Sequence, residues 1–119
     1  MSEFPLPEAF SVRTERRADA AVVVPTGELD LATAPTLETA LTEAFALESE
    51  RVVLDLRELA FIDSSGLRTL LTARRRAEEA GCAFSLVAGH AALERTLEIA
   101  GVHKVFSWTA PEELAPTES

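Results

Sequence analysis

Apolar and polar residues alternate over Phe10-Ser11-Val12-Arg13-Thr14, the pattern of a strand with one wet face. Ala18-Asp19-Ala20 is a turn candidate, and Ala21 to Val24 is a continuous apolar run that suits a strand covered on both faces. Pro25 has no N–H to donate and is expected to interrupt that strand, leaving Gly27-Glu28-Leu29-Asp30 as a polar loop. Thr33 is an N-cap candidate with Pro35 in the first turn of a helix reaching Leu47, whose Leu37, Leu41, Ala44 and Phe45 share one face. Val52 to Leu56 reads as a buried parallel strand. Phe61-Ile62 then leads into Asp63-Ser64-Ser65-Gly66, which opens a second helix that runs to about Ala80 and stops at Gly81. Ala83 to Ala88 is a further strand ended by Gly89, and Ala91 to Ala100 a third helix closed by Gly101. A last short strand is expected within Val102–Trp108, and a short final helix from the capping-box spacing of Thr109-Ala110-Pro111-Glu112.

The resulting order, β β α β α β α β (α), predicts an α/β fold: one domain with a mixed, mainly parallel sheet flanked by helices. With 119 residues there is room for one such domain. It is placed at 10–114, with a flexible lead-in at 1–9 that carries Pro5 and Pro7, and a polar tail at 115–119. The net charge of −9 repels phosphate backbones and anionic lipid surfaces, so neither direct nucleic-acid binding nor membrane binding is expected. A protein partner with basic residues fits that sign. Cys82 is the only cysteine, which rules out an intramolecular disulfide and a cysteine zinc site. No cofactor is expected. The N-terminal residues lack the basic and apolar regions of a signal peptide, and no apolar run is long enough to span a membrane, so the cytoplasm is the expected location.

Candidate chemistry concentrates in Asp63-Ser64-Ser65-Gly66-Leu67 at a strand-to-helix junction. One reading is N-capping, since Asp and Ser supply acceptors for the free N–H groups of the first turn. One cap needs one acceptor, however, and three consecutive residues could serve. A spare hydroxyl at a helix N-terminus is well placed to carry a phosphate. Helical spacing puts Gly66, Leu70, Ala73, Ala77 and Ala80 inward, and Arg68, Thr72, Arg75, Arg76 and Glu79 outward, with Leu71 at the border. Ser64 projects over the side that holds Arg68. Arg74-Arg75-Arg76 reads as a solvated face balanced by Glu78 and Glu79.

Enzymatic readings find little support. Gly-x-Ser-x-Gly is absent, His90 and His103 each sit beside a helix end, and there is no glycine-rich phosphate loop. Asp55, Glu58 and Asp63 form no metal set with a histidine. The chain is not expected to be an enzyme.

Three stretches, in order, carry a resemblance: Gly27-Glu28-Leu29-Asp30, Phe61-Ile62-Asp63-Ser64-Ser65-Gly66-Leu67, and Leu97-Glu98-Ile99-Ala100-Gly101-Val102-His103-Lys104-Val105-Phe106. Together with the element order, the chain resembles STAS domains, specifically bacterial anti-sigma factor antagonists, from residue 8 to residue 114. The resemblance implies a partner-switching cycle. The dephosphorylated protein binds an anti-sigma factor that is also an ATP-dependent serine kinase, and so releases a sigma factor. Phosphorylation of the first serine after the aspartate, here Ser64, ends the interaction, and a serine phosphatase resets it. The expected recognition face combines Gly27, Glu28 and Asp30 with Asp63, Ser65 and Gly66 at the start of the second helix, and with Arg68 and Leu71, which its helical spacing puts on the outer side and at the border. Pro25 and the short tail after Trp108 depart from the pattern. A STAS protein that is never phosphorylated, serving as an adaptor subunit of a signalling or lipid-transport assembly, is the alternative.

Overall fold

In the computed structural model, which describes residues 9–47 and 49–116, the chain opens with an antiparallel hairpin of β1 (Ser11–Arg17) and β2 (Ala20–Leu29). Helix α1 (Ala34–Ala46) returns the chain to β3 (Arg51–Asp55), and β4 (Leu59–Ile62) leads into α2 (Ser64–Ala80). Strand β5 (Ala83–Val87) and α3 (Ala91–Ile99) follow. The sheet runs β1-β2-β3-β5, with β4 also pairing β2, and every pairing except β1–β2 is parallel. This is the expected mixed, mainly parallel α/β sheet. Residues 1–8 of the lead-in expected at 1–9, and 117–119 of the tail expected at 115–119, lie outside the described residues.

Strand β2 corrects the expectation that Pro25 ends it. Strand β3 pairs with β2 as far as Val23, and β4 begins pairing at Gly27. Pro25 falls between the two partners, where a missing N–H removes no parallel ladder bond. Gly27-Glu28-Leu29 is therefore strand, not loop, with a register shift between Gly27 and Glu28. Phe61-Ile62, expected only as a lead-in, is the second half of β4.

The C-terminal expectations are also revised. In place of a strand over Val102–Trp108 there is a 3-10 turn at His103–Val105 and one parallel bridge, Leu86 to Trp108. The indole N–H of Trp108 donates to the His103 carbonyl at 3.1 Å, and the two rings stack with centroids 4.5 Å apart. The final helix is a single 3-10 turn, Pro111–Glu113, in which the Glu113 side chain accepts from the Ala110 N–H at 3.2 Å. Thr109, expected to cap it, shares a 2.6 Å hydrogen bond with Ser85 instead.

Alternate residues of β2 face opposite sides of the sheet. Ala21, Val23 and Leu29 join Leu37 and Leu41 of α1, Leu70 and Ala73 of α2, and Leu93 and Leu97 of α3 in the larger core. Burying each such leucine contributes about 1.5–3 kcal/mol. Ala20, Val22, Val24, Val53 and Val87 form a second cluster on the other face, with Leu114 packed against it. The three helices thus share one face, and the C-terminal segment covers part of the other. Arg17 ties that segment to β1 by donating to the Ala115 carbonyl at 3.2 Å.

Candidate functional site

The parallel pairing of β2 with β4 brings the end of β2 beside the start of α2. The Asp63 N–H donates to the Leu29 carbonyl at 3.1 Å, extending the ladder by one bond before the chain turns into the helix. Asp63 then adopts an extended backbone, and its Oδ1 accepts from the Gly66 N–H at 3.0 Å. The cap is therefore Asp63, through one carboxylate oxygen. Ser64 is the first helical residue and exposed, Ser65 is half-buried, and neither hydroxyl hydrogen-bonds to a described residue. The Ser65 carbonyl is engaged, accepting from the Thr69 hydroxyl at 3.1 Å.

Gly66 lies where α2 crosses the β2–β4 pair. A Cβ built there would stand 2.5 Å from Ile62 Cγ1 and 2.9 Å from Leu29 Cγ. Only glycine fits without moving the strand side chains. Gly27 is buried with φ +106°, and a Cβ there would approach the Phe10 Cα at 3.3 Å. Both glycines are buried and shape the site from beneath.

Glu28 is exposed, in register with Phe61, which is also exposed. Asp30 has a local task. Its Oδ1 accepts from the N–H groups of Ala32 at 3.0 Å and Thr33 at 3.1 Å, and its own N–H donates to the Thr33 hydroxyl at 2.9 Å. That hydroxyl donates to the Glu28 carbonyl at 2.8 Å. Thr33 occupies the N-cap position of α1 without making the expected side-chain cap bond; Asp30 anchors the turn.

Arg68 is exposed and makes no ion pair with a described residue, and Leu71 is 37% exposed at the border of the helix. The inward stripe of α2 contains Thr69, which the spacing did not single out, while Ala80 is exposed. Of the arginine run, Arg74 pairs with Glu78 at 3.4 Å and Arg76 lies 5.7 Å from the centroid of Phe45. Two exposed apolar residues were missed in the sequence: Leu31, 77% exposed, which lines a groove together with Ser65 and Arg68, and Phe61, 48% exposed, on β4. A single apolar residue in a loop or on a short strand leaves no periodic signal.

Other polar groups are engaged in the fold. The buried Asp55 carboxylate accepts from Arg57 Nε and Nη2, with Nη2 at 2.7 Å, which holds the guanidinium firmly protonated. Glu58 is held below the usual carboxylate range by Arg13, which donates to it at 2.6 Å, and then by Thr26. His90 caps α3 through Nδ1, which accepts from the Leu93 N–H at 3.3 Å, so Nε2 carries the proton toward the Ala60 carbonyl. His103 pairs with Glu94 at 3.1 Å. Burial pushes the Cys82 thiol up, away from reactivity. Among the described residues no three His, Cys, Asp or Glu side chains are grouped to hold a metal, and no helix is long and apolar enough to cross a membrane.

The start of α2 thus offers an exposed serine hydroxyl and, one turn along, an arginine with no ion pair to a described residue, which lines a groove with the leucine of the Asp30 turn. Such a surface can bind a protein and accept a phosphate.

The sequence pattern of the STAS domain matches residues 11–118. The anti-sigma-F factor antagonist RsfB of Mycobacterium tuberculosis is 30% identical over 100 residues, which cover 84% of this chain and 81% of RsfB. The crystal structure of an anti-sigma factor antagonist from Mycobacterium paratuberculosis superposes with a TM-score of 0.78 at 29% identity, covering 91% of each chain. The anti-sigma factor antagonist SpoIIAA, in its unphosphorylated form, shares the fold with a TM-score of 0.68 at 21% identity, covering 88% of this chain and 91% of that one.

Proposed function

The chain belongs to the STAS domain family, among proteins that regulate by binding rather than by catalysis, and on that premise we propose that it antagonises an anti-sigma factor under the control of Ser64 phosphorylation. In this reading the unphosphorylated protein binds, in the cytoplasm, an anti-sigma factor that is also a serine kinase. Binding releases the sigma factor. The kinase phosphorylates Ser64, the complex dissociates, and a serine phosphatase restores the starting state. Neither nucleic acid nor membrane takes part directly.

The observation that carries this is the division of labour at the start of α2. Asp63 alone caps the helix, which leaves the exposed Ser64 hydroxyl without a structural task. A phosphate there adds about −1.5 to −2 charges at neutral pH. The helix N-terminus tolerates that charge, so the fold survives. An interface closed over a neutral hydroxyl does not. A loss of about 3 kcal/mol weakens affinity more than a hundredfold, ample for a switch.

The test is binding of the purified cognate anti-sigma factor by calorimetry. Ser64→Ala retains affinity and cannot be phosphorylated; Ser64→Asp loses affinity while the melting temperature holds. If Ser64→Asp binds like the parent, the switch is wrong and a constitutive adaptor is the better description.

A further inference from the structure

We infer that the groove between α1 and α2 beside Ser64 anchors the protein partner by taking one of its aliphatic side chains, with a basic residue of the partner set against Glu38. The inference rests on the binding role proposed above and adds α1 and Leu31 to the recognition face.

A lone exposed leucine is ordinary on a protein surface. Leu31 differs in its mounting and its surroundings. The turn that carries it is pinned on both sides by the Asp30 carboxylate and the Thr33 hydroxyl, so the side chain is presented to water on a fixed backbone. Little ordering entropy remains to be lost when a partner covers it. Leu31 also forms one lip of a groove of about 140 Å³. Ala34 and Pro35 of α1 continue the apolar side, and Ser65 and Thr69 of α2 form the other. That volume is well below the roughly 300–1,000 Å³ of a small-molecule site and matches a single side chain.

Charge identifies the occupant further. Glu38 and Arg68 also line the groove. The Glu38 carboxylate accepts only from the Thr69 hydroxyl among the described residues, at 3.4 Å, and neither Glu38 nor Arg68 forms an ion pair with a described residue. With a net charge of −9, the whole molecule draws a basic partner, and Glu38 is the acid that such a residue meets at the anchor. Arg68 follows Ser64 by four residues, on the same side of α2. A phosphate on Ser64 would draw the Arg68 guanidinium to itself by charge-assisted hydrogen bonds. The groove then loses Arg68 from its α2 side as the switch turns off, which couples the anchor to the modification.

Calorimetry with the purified cognate anti-sigma factor tests the anchor. Leu31→Asp and Glu38→Lys are each expected to weaken binding at least about tenfold, as truncated anchor residues do. Leu31→Met should stay within about threefold, as volume-conserving apolar swaps do. Ile99→Asp, at an apolar residue just as exposed (78%) but on α3, is the control and should leave binding unchanged. Amide shift mapping on the unsubstituted chain should place perturbations at Leu31, Glu38 and Thr69, independently of any variant. Parent-like binding by both Leu31→Asp and Glu38→Lys, with Ser64→Asp inactive, overturns the anchor and spares the switch. Weak binding by the groove variants with a parent-like Ser64→Asp keeps the anchor and removes the switch. Parent-like binding by all of them removes both.

Discussion

Asp63 holds two elements together: its N–H extends the ladder from Leu29, and its carboxylate closes the first turn of α2 on Gly66. Asp63→Ala removes the cap and should cost about 1 kcal/mol of stability, read by denaturant midpoint, whereas Asp63→Ser should recover most of it. Gly66 tests the packing beneath. Helix propensity alone says that replacing glycine stabilises α2, yet the 2.5 Å approach to Ile62 leaves no room for a side chain. Gly66→Val should therefore lower the melting temperature or the partner affinity, and a fully stable, fully binding variant would remove the close approach. Both residues are legible in the sequence because Asp-Ser-Ser-Gly at a strand-to-helix junction has a stereochemical meaning. Asp30 is legible as a polar residue of a resemblance stretch, but not as the anchor of a turn. That its carboxylate serves the backbone of its own turn depends on where β2 ends, which composition does not reveal. Leu31 gave no signal at all, because one apolar residue outside a helix or strand has no period to belong to.

At the scale of elements, the helices and buried strands followed the hydrophobic pattern, and the misreadings share one cause. Whether Pro25 ends a strand depends on which neighbours it faces, and those are set by β3 stopping level with Val23 and β4 starting level with Gly27. The last predicted strand failed for a related reason. The stretch after α3 makes one bridge to β5 at Trp108 and otherwise turns, stacking its indole on His103. The β1–β2 connection carries a strain that can be measured. Ala18, between the two strands, has φ +53°, a left-handed conformation that costs an alanine roughly 1 kcal/mol relative to glycine. Ala18→Gly should raise stability by about 0.5 kcal/mol once the added freedom of the unfolded chain is subtracted, which a chemical-denaturation midpoint resolves.

Taken whole, the molecule keeps a set of paired charges on β1 and beside it, among residues other than those around Ser64. On β1, Glu15 accepts from Arg13 at 2.8 Å and from Arg17 at 2.5 Å, and these bonds hold its carboxyl below the ordinary value near 4.5. A group lowered in the folded state favours folding at pH values above its unfolded pKa, and that share is lost as pH falls through the lowered folded value. Stability should thus decline on acidification below about pH 4.5, and Glu15→Gln should flatten that limb in acid-denaturation curves while leaving partner binding at neutral pH intact. A limb unchanged by the substitution would show that Glu15 is not its source.

The Ser64 face carries the functional claim, and one measurement addresses it directly: peptide mapping of the chain after reaction with its purified cognate kinase, ATP and magnesium. A single phosphate on Ser64, with Ser65 unmodified, is the expected result, because Ser64 is exposed at the first position of α2 while Ser65 is half-buried and lines the groove that faces α1. Phosphate on Ser65, or on neither serine, would contradict the account.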